Sequence, residues 1–297
     1  MTNLDNQKLH TQNDVFVAYK KEGETPLECL NRLKDEGFLP FNDKFTYAGR
    51  LDPVAEGLMI FLRGEAIKDK EHFLGLEKEY KVEVLLGAVT DTGDILGLLN
   101  SVSNNEVVFD IKNIGNICES FIGDLEVPYP WFSSKTVNGK PLHMWFREFD
   151  SEEDVENEEC EFGKKTTNES KDSFVRPTTK LSIKDIEFID LSFITANELH
   201  NNVIKRIKKI KGDFRQNEII QEWDKVSVNN SSSNTKKNTK KHSGDSTQGI
   251  EFPLIKIKVR CGSGSYMRTL AELIGEKLNV PALAYSIKRI SIGEYKI

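Results

Sequence analysis

What this sequence lacks narrows its chemistry before any motif is read. It has only four cysteines (Cys29, Cys118, Cys160 and Cys261). They are far apart and form no CxxC pair, so neither a disulfide framework nor a zinc knuckle is predicted. Its five histidines (His10, His72, His143, His200 and His242) show no HExxH or other ligand spacing, and no metal is predicted. No apolar run approaches the roughly eighteen residues of a membrane-spanning helix, so no membrane association is expected. The N-terminus lacks the basic-then-apolar order of a signal peptide, which makes a cytoplasmic location the expectation. No cofactor motif and no internal repeat is found, and a monomer is expected.

A net positive charge is also lacking. The chain carries a net −6 at neutral pH, which argues against a polyanionic partner. The imbalance is local, however. Residues 148–161 hold nine acidic side chains and no basic one, and the other residues sum to +3. Local fields steer a polyanion more than the total does, so RNA binding stays open.

What is present reads as a mixture of strands and helices. Val15-Phe-Val-Ala-Tyr19 has the branched and aromatic content of a strand. Thr25-Pro26-Leu27-Glu28 forms a capping box with proline at the first helical position. Leu27, Leu30 and Leu33 continue at helical spacing, and Gly37 ends the helix. Tyr80, Val82, Val84 and Leu86 alternate with Lys81, Glu83 and Leu85 as a second strand. Ile114, Ile117, Cys118 and Phe121 suggest a short amphipathic helix closed by Gly123. Ile255, Ile257 and Val259 alternate with Lys256, Lys258 and Arg260, predicting a strand with one buried and one basic face. Met267, Leu270, Ala271, Ile274 and Leu278 mark the inward stripe of a later helix. Without regular βαβ alternation, an α+β domain is predicted over residues 1–297. Two segments fall outside the pattern: an acidic insertion at 148–173 and a Ser/Asn/Thr/Lys-rich one at 224–249, read as disordered for want of apolar side chains to bury.

The densest chemical signal is Tyr47-Ala-Gly-Arg-Leu-Asp52-Pro-Val-Ala-Glu-Gly57-Leu-Met-Ile-Phe-Leu. An Asp-Pro step by itself commonly marks a turn. Here two glycines bracket the acid and an apolar strand-like run follows, which would hold a carboxylate on a loop projecting from a rigid sheet. The segment resembles the catalytic motif of the TruB family of tRNA pseudouridine synthases, close to GHTGxLDPxAxGxLxxxxGxATK. Gly49, Leu51, Asp52, Pro53, Ala55, Gly57, Leu58, Gly64, Glu65, Ala66 and Lys68 match in order. Further matches follow: Lys78-Glu-Tyr80 with Leu86-Gly-Ala-Val-Thr-Asp-Thr-Gly-Asp94, then Val127-Pro-Tyr-Pro130 with Val137-Asn-Gly-Lys140. Cys261-Gly-Ser-Gly-Ser-Tyr266-Met-Arg268-Thr-Leu-Ala271 and Ile287-Lys-Arg289 complete the series. The chain departs from the pattern at Tyr47, where the family usually has histidine, and at Arg50. Lys135 falls one place early and receives no role, and with the sequence ending at Ile297 no C-terminal PUA domain is expected.

The resemblance implies a pseudouridine synthase fold, a mixed, mainly antiparallel central sheet flanked by helices and loops. It implies isomerisation of the T-loop uridine of tRNA, position 55, with tRNA (its T-arm) as partner, without a cofactor, and with Asp52 as catalytic aspartate. Tyr80 would stack on the target base, although its strand pattern alone favours a buried core tyrosine. Tyr266 resembles a second pocket aromatic, Ile287 a residue whose backbone meets the uracil edge, and Arg268 the arginine that pairs with the aspartate. From spacing alone Arg268 reads as an exposed helix arginine. Lys20 matches an N-terminal lysine of the family, beside Lys21 in what is otherwise a solvated pair, and Tyr47 is expected to touch substrate. Two further readings are a synthase with another RNA target and an inactive RNA-binding or RNA-folding protein. A glycosidase is a third, but no second acid sits in a comparable motif.

Overall fold

The computed structural model of the protein describes residues 10–12, 14–103, 107–150, 174–232 and 250–297. In chain order its strands and helices begin with β1 (His10–Gln12), β2 (Val15–Lys20), α1 (Pro26–Asp35), β3 (Phe45–Ala48) and β4 (Glu56–Arg63). A 3-10 turn leads to α2 (Lys70–Gly75), β5 (Lys78–Leu86), β6 (Ala88–Thr90) and β7 (Leu99–Val102). The middle of the chain supplies α3 (Ile114–Glu119), β8 (Gly123–Pro128), β9 (Thr136–Val137), β10 (Lys140–Pro141) and α4 (Leu142–Asp150). The remainder is β11 (Thr178–Thr195), α5 (Ala196–Ile207), α6 (Gln216–Ser232), β12 (Glu251–Cys261), α7 (Met267–Leu278), β13 (Ala282–Ile292) and β14 (Tyr295–Lys296).

One sheet of ten strands organises the molecule, in the order β1-β2-β4-β13-β5-β12-β11-β8, with β3 on β4 and β14 on β13. All its ladders are antiparallel except the short β4–β13 pair. This is the α+β architecture expected from the sequence. β5 lies between β13 and β12, and its buried Tyr80, Val82 and Val84 follow the predicted alternation. On that face α1, α3 and α7 contribute Cys29, Leu33, Cys118, Leu270 and Ile274 to a common core. Each fully buried leucine or isoleucine there contributes about 1.5–3 kcal/mol. The opposite face packs α5 and α6 against Leu85, Leu254 and Leu283.

Local signals act as predicted. Thr25 Oγ1 accepts from the Glu28 amide while the Glu28 carboxylate accepts from the Thr25 amide, so two otherwise orphaned donors of α1 are satisfied. At its other end Phe38 N donates to Leu33 O and Gly37 N to Lys34 O, the paired closure that a left-handed glycine permits. Asn138 and Gly139, both at positive φ, make the two-residue turn between β9 and β10.

Two expectations need correction. The helix from Ile114 stops at Glu119, and Gly123, at φ +125°, opens β8 instead of closing the helix. Residues 224–232, assigned to a disordered insertion, belong to α6. Ile219, Trp223 and Val226 sit at helical spacing and are all buried, so packing begun upstream carries the helix into the polar stretch. The rest of that insertion, 233–249, lies outside the described residues, as does the acidic stretch 151–173. The strand with one buried and one basic face is present as β12, and its basic face is paired with acids. Lys256, Lys258 and Arg260 lie 3.2, 2.8 and 3.5 Å from Glu83, Glu79 and Glu77 of the neighbouring strand and its approach, which neutralises them.

Candidate active site

The Asp52 loop joins β3 to β4 and is held by backbone contacts that few side chains would allow. Gly57 pairs with Arg289 where β4 runs parallel to β13. It has φ +120°, and a Cβ added there would lie 2.2 Å from Arg289 O. Only glycine lets the two strands meet at that point. Arg289, itself buried, donates to Leu58 O (2.7 Å) and Arg50 O (3.2 Å), tying both flanks of the loop to β13. Ala55 N donates to Asp52 O at 3.0 Å and closes the Asp-Pro turn.

Lys20 is fully buried under this loop. Its ammonium donates to Ala55 O at 2.6 Å and Lys21 O at 3.2 Å, with Pro53 O at 3.4 Å. Burial pushes its pKa down to about 8, with nearby negative groups, Asp52 among them, opposing the fall. Lys20 and Lys21 therefore do not form a solvated pair. Only Lys21 is exposed.

Asp52 is 42% exposed and its Oδ2 lies 3.0 Å from Nε of Arg268, which is 4% exposed. Arg268 is not the exposed helix arginine that its spacing suggests. It stands at the second position of α7, and its other nitrogens donate to Thr92 O (2.7 Å) and Phe132 O (3.0 Å). With each nitrogen engaged, the planar fork has little freedom to turn. Burial works against its charge, but the carboxylates of Asp52, Asp94 and Glu272 outweigh that and hold its pKa above the usual arginine value.

Asp94 is a member of this group that motif reading quoted without a role. Its Oδ2 lies 3.7 Å from Arg268 Nε, and its Oδ1 accepts from Leu96 N and from Thr92 Oγ1, each at 2.9 Å. Burial raises its pKa to about 6 despite the guanidinium. Glu272, one turn along α7, is raised by burial to about 7. The result is one buried cation among three carboxyl groups, of which Asp52 alone is substantially open to solvent.

Of the aromatic candidates, Tyr80 and Tyr266 lie within electrostatic reach of Asp52, at different depths. Tyr80 is buried on β5, directly across from Arg289 of β13. Burial raises its hydroxyl pKa, opposed by the Arg289 guanidinium. Tyr266 caps α7, half-buried, with its ring edge-on to Tyr129 at 6.0 Å. Burial raises its hydroxyl too, with Arg268 opposing the shift and Asp52 adding to it. Ile287 is buried on β13 opposite Val82. Tyr47 is half-buried on β3, its ring 5.9 Å from the Arg50 guanidinium carbon. Among the described residues no group of three or more His, Cys, Asp or Glu side chains is placed to hold a metal ion, and no helix is long and apolar enough to cross a membrane.

Sequence reasoning missed Asp94, Thr92, the Phe132 carbonyl and Arg289 as supports. Asp94 and Arg289 stood inside quoted motifs, but their burial depends on strands and loops remote in the chain.

Comparison with known proteins adds an independent line. The profile described as "TruB family pseudouridylate synthase (N terminal domain)" matches residues 39–184. Proteins called tRNA pseudouridine synthase B from Staphylococcus aureus strains Newman and MRSA252 are each 27% identical over 284 residues, covering 95% of this chain and 67% of their own length. A solved chain of a Cbf5-Nop10-Gar1 complex aligns with 94% of this chain at 15% identity and a TM-score of 0.48. Another, from an H/ACA RNP bound to a substrate RNA containing 2'-deoxyuridine, aligns with 97% at 14% identity and a TM-score of 0.46. The chain spans 48% and 56% of those two chains.

Proposed function

The chain belongs to the TruB family of pseudouridylate synthases, and on that premise we propose that it isomerises the T-loop uridine of tRNA, position 55, with Asp52 as its catalytic carboxylate. Converting uridine to pseudouridine breaks the bond from N1 to C1′, turns the uracil and joins C5 to C1′. Atoms and electrons balance within the nucleotide, so the chemistry calls for a positioned carboxylate and a pocket for a rotating base. Asp52 suits either covalent addition at C1′ or removal of a sugar proton.

The observation that carries this reading is the unequal exposure of the Asp52–Arg268 pair. The carboxylate is 42% exposed while its guanidinium partner is 4% exposed and fully engaged. Such a carboxylate is oriented from behind and open to substrate in front, as a group that meets substrate must be. Tyr80 and Tyr266 offer ring faces or edges to a flipped uracil, and backbone groups at Ile287 offer hydrogen bonds to its polar edge. Lys20 contributes by fixing the loop carbonyls, and Tyr47, in place of the family's histidine, is proposed to touch the substrate.

The test is to incubate unmodified tRNA transcripts with the protein and map pseudouridine by position. Conversion at position 55 that is lost in Asp52→Asn is the expected result. Pseudouridine only at another position would assign a different RNA target, and RNA binding without any conversion would leave a non-catalytic RNA-binding protein.

A further inference from the structure

The ladder between β11 and β12 closes with Thr195 opposite Glu251, where a turn of about two to five residues would complete the hairpin. The chain instead places residues 196–250 there, beginning with the helices α5 and α6, which share a core. This inserted segment carries eleven lysines and arginines against six acids, a net +5 in a chain whose total is −6. The charge is concentrated. Residues 204–215, the end of α5 and the turn into α6, hold Lys205, Arg206, Lys208, Lys209, Lys211 and Arg215 with Asp213 as the sole acid.

The turn is anchored at both sides of the candidate site. On one side, Leu199, Val203, Ile207 and Trp223 share a core with Val54, two residues beyond Asp52. Lys209 packs against Gly23, whose amide donates to Pro53 O at 2.8 Å, and Arg206 and Lys209 both pair with Glu22. On the other side, Arg215 pairs with Asp91 at 2.8 Å and lies over the Phe132 ring at 4.9 Å. Phe132 and the Thr90–Asp94 loop are the same segments whose carbonyls hold Arg268. The turn therefore runs from the loop carrying Asp52 to the segments whose carbonyls hold its partner arginine.

Three of the six cations are spent on these anchors. Lys205, Lys208 and Lys211 are exposed, and among the described residues none forms an ion pair or side-chain hydrogen bond. Lys205 and Lys208, three residues apart, share one face of the last helical turn. Their state contrasts with that of β12, whose cations are neutralised by the acids beside them.

We propose that the α5–α6 turn is an RNA-docking rim, in which Lys205, Lys208 and Lys211 meet backbone phosphates beside the nucleotide presented to Asp52. This rests on the reading above that the substrate is RNA. Ammonium groups on an exposed turn act as point charges toward phosphate, so they add affinity and register without reading bases. Each phosphate so neutralised contributes about 0.7–0.9 to the slope of log affinity against log salt.

The experiment measures binding of an unmodified tRNA transcript to Asp52→Asn protein between about 50 and 200 mM salt. The same protein carrying Lys208→Gln and Lys211→Gln is expected to bind on the order of ten-fold more weakly at low salt, with the slope reduced by roughly 1.4–1.8. Lys112→Gln with Lys277→Gln, exposed lysines outside the hairpin, controls for net charge and is expected to change neither. Lys208→Arg with Lys211→Arg keeps the charge and is expected to keep the slope, which separates loss of charge from loss of structure. Equal affinity and slope in the glutamine pair and its control would overturn the proposal. Wild-type protein that binds with the expected slope but forms no pseudouridine would instead sink the catalytic reading and leave the rim standing.

Discussion

Replacing Arg268 by alanine tests the electrostatic arrangement most directly, because its two carboxylate neighbours differ so much in exposure. Asp52 lies 3.0 Å away and is 42% exposed, whereas Asp94 lies 3.7 Å away and is 5% exposed. At an effective dielectric of about 20, either separation corresponds to roughly 4–6 kcal/mol of attraction before desolvation is subtracted. Water at Asp52 screens most of that, leaving about 1 kcal/mol or less. Asp94 has no such relief, and orphaning a buried charge costs about 3–5 kcal/mol. The destabilisation by Arg268→Ala is therefore expected to come mainly through Asp94. It should also depend on pH. Asp94 has a folded pKa of about 6, above the unfolded value, so its protonated form is favoured in the native state and stability falls as pH rises through that window. Removing Arg268 raises the pKa further and widens the window upward. Arg268→Ala is thus expected to cost about 3–5 kcal/mol at pH 8 and clearly less at pH 5, where Asp94 accepts a proton. Urea unfolding at both pH values, with Asp94→Asn and Asp52→Ala as partners in two double-mutant cycles, reads these quantities. The coupling to Asp94 is expected at about 2–3 kcal/mol and that to Asp52 below about 1 kcal/mol. A pH-independent cost, or a stronger coupling to Asp52, would refute the reasoning.

Asp52→Asn is expected to abolish turnover while tRNA affinity stays within about two-fold of wild type, measured by filter binding, because phosphate contacts supply most of the affinity. Gly57→Ala should destabilise by about 2–4 kcal/mol in thermal unfolding, since its Cβ would overlap the Arg289 carbonyl and its φ is positive. Glu272 has a folded pKa of about 7, so its stability contribution is lost as pH rises from the unfolded value through 7. Glu272→Gln is therefore expected to raise the melting temperature at pH 8 and to leave it nearly unchanged near pH 4.5. Tyr47→Phe should retain more activity than Tyr47→Ala in single-turnover assays, and equal wild-type rates for both would remove Tyr47 from the site.

Much of the local structure was legible in the sequence because its causes are local. The capping box at Thr25 and Glu28, the closure at Gly37 and the alternation around Val82 involve neighbours within a turn or a pleat. The order of the motifs around Asp52, Tyr80 and Arg268 pointed to a family and to a pairing, but no spacing along the chain could say how deeply each side chain would sit. Tertiary structure decided that. It buried Lys20 beneath the loop carbonyls, because β2 pairs with β4 and ends at Gly57. It neutralised the basic face of β12, because β11 sets Asp190, Glu187 and Asp185 opposite Lys256, Lys258 and Arg260 while β5 and its approach bring Glu83, Glu79 and Glu77 within ion-pair reach. It placed Asp94 behind Arg268 through a single bridge to Ala284 of β13. It carried α6 past Asp224, because Trp223 and Val226 found a core that the polar residues around them do not announce. In each case the deciding energy is a contact between segments remote in the chain, and its sign depends on what the fold sets opposite a residue.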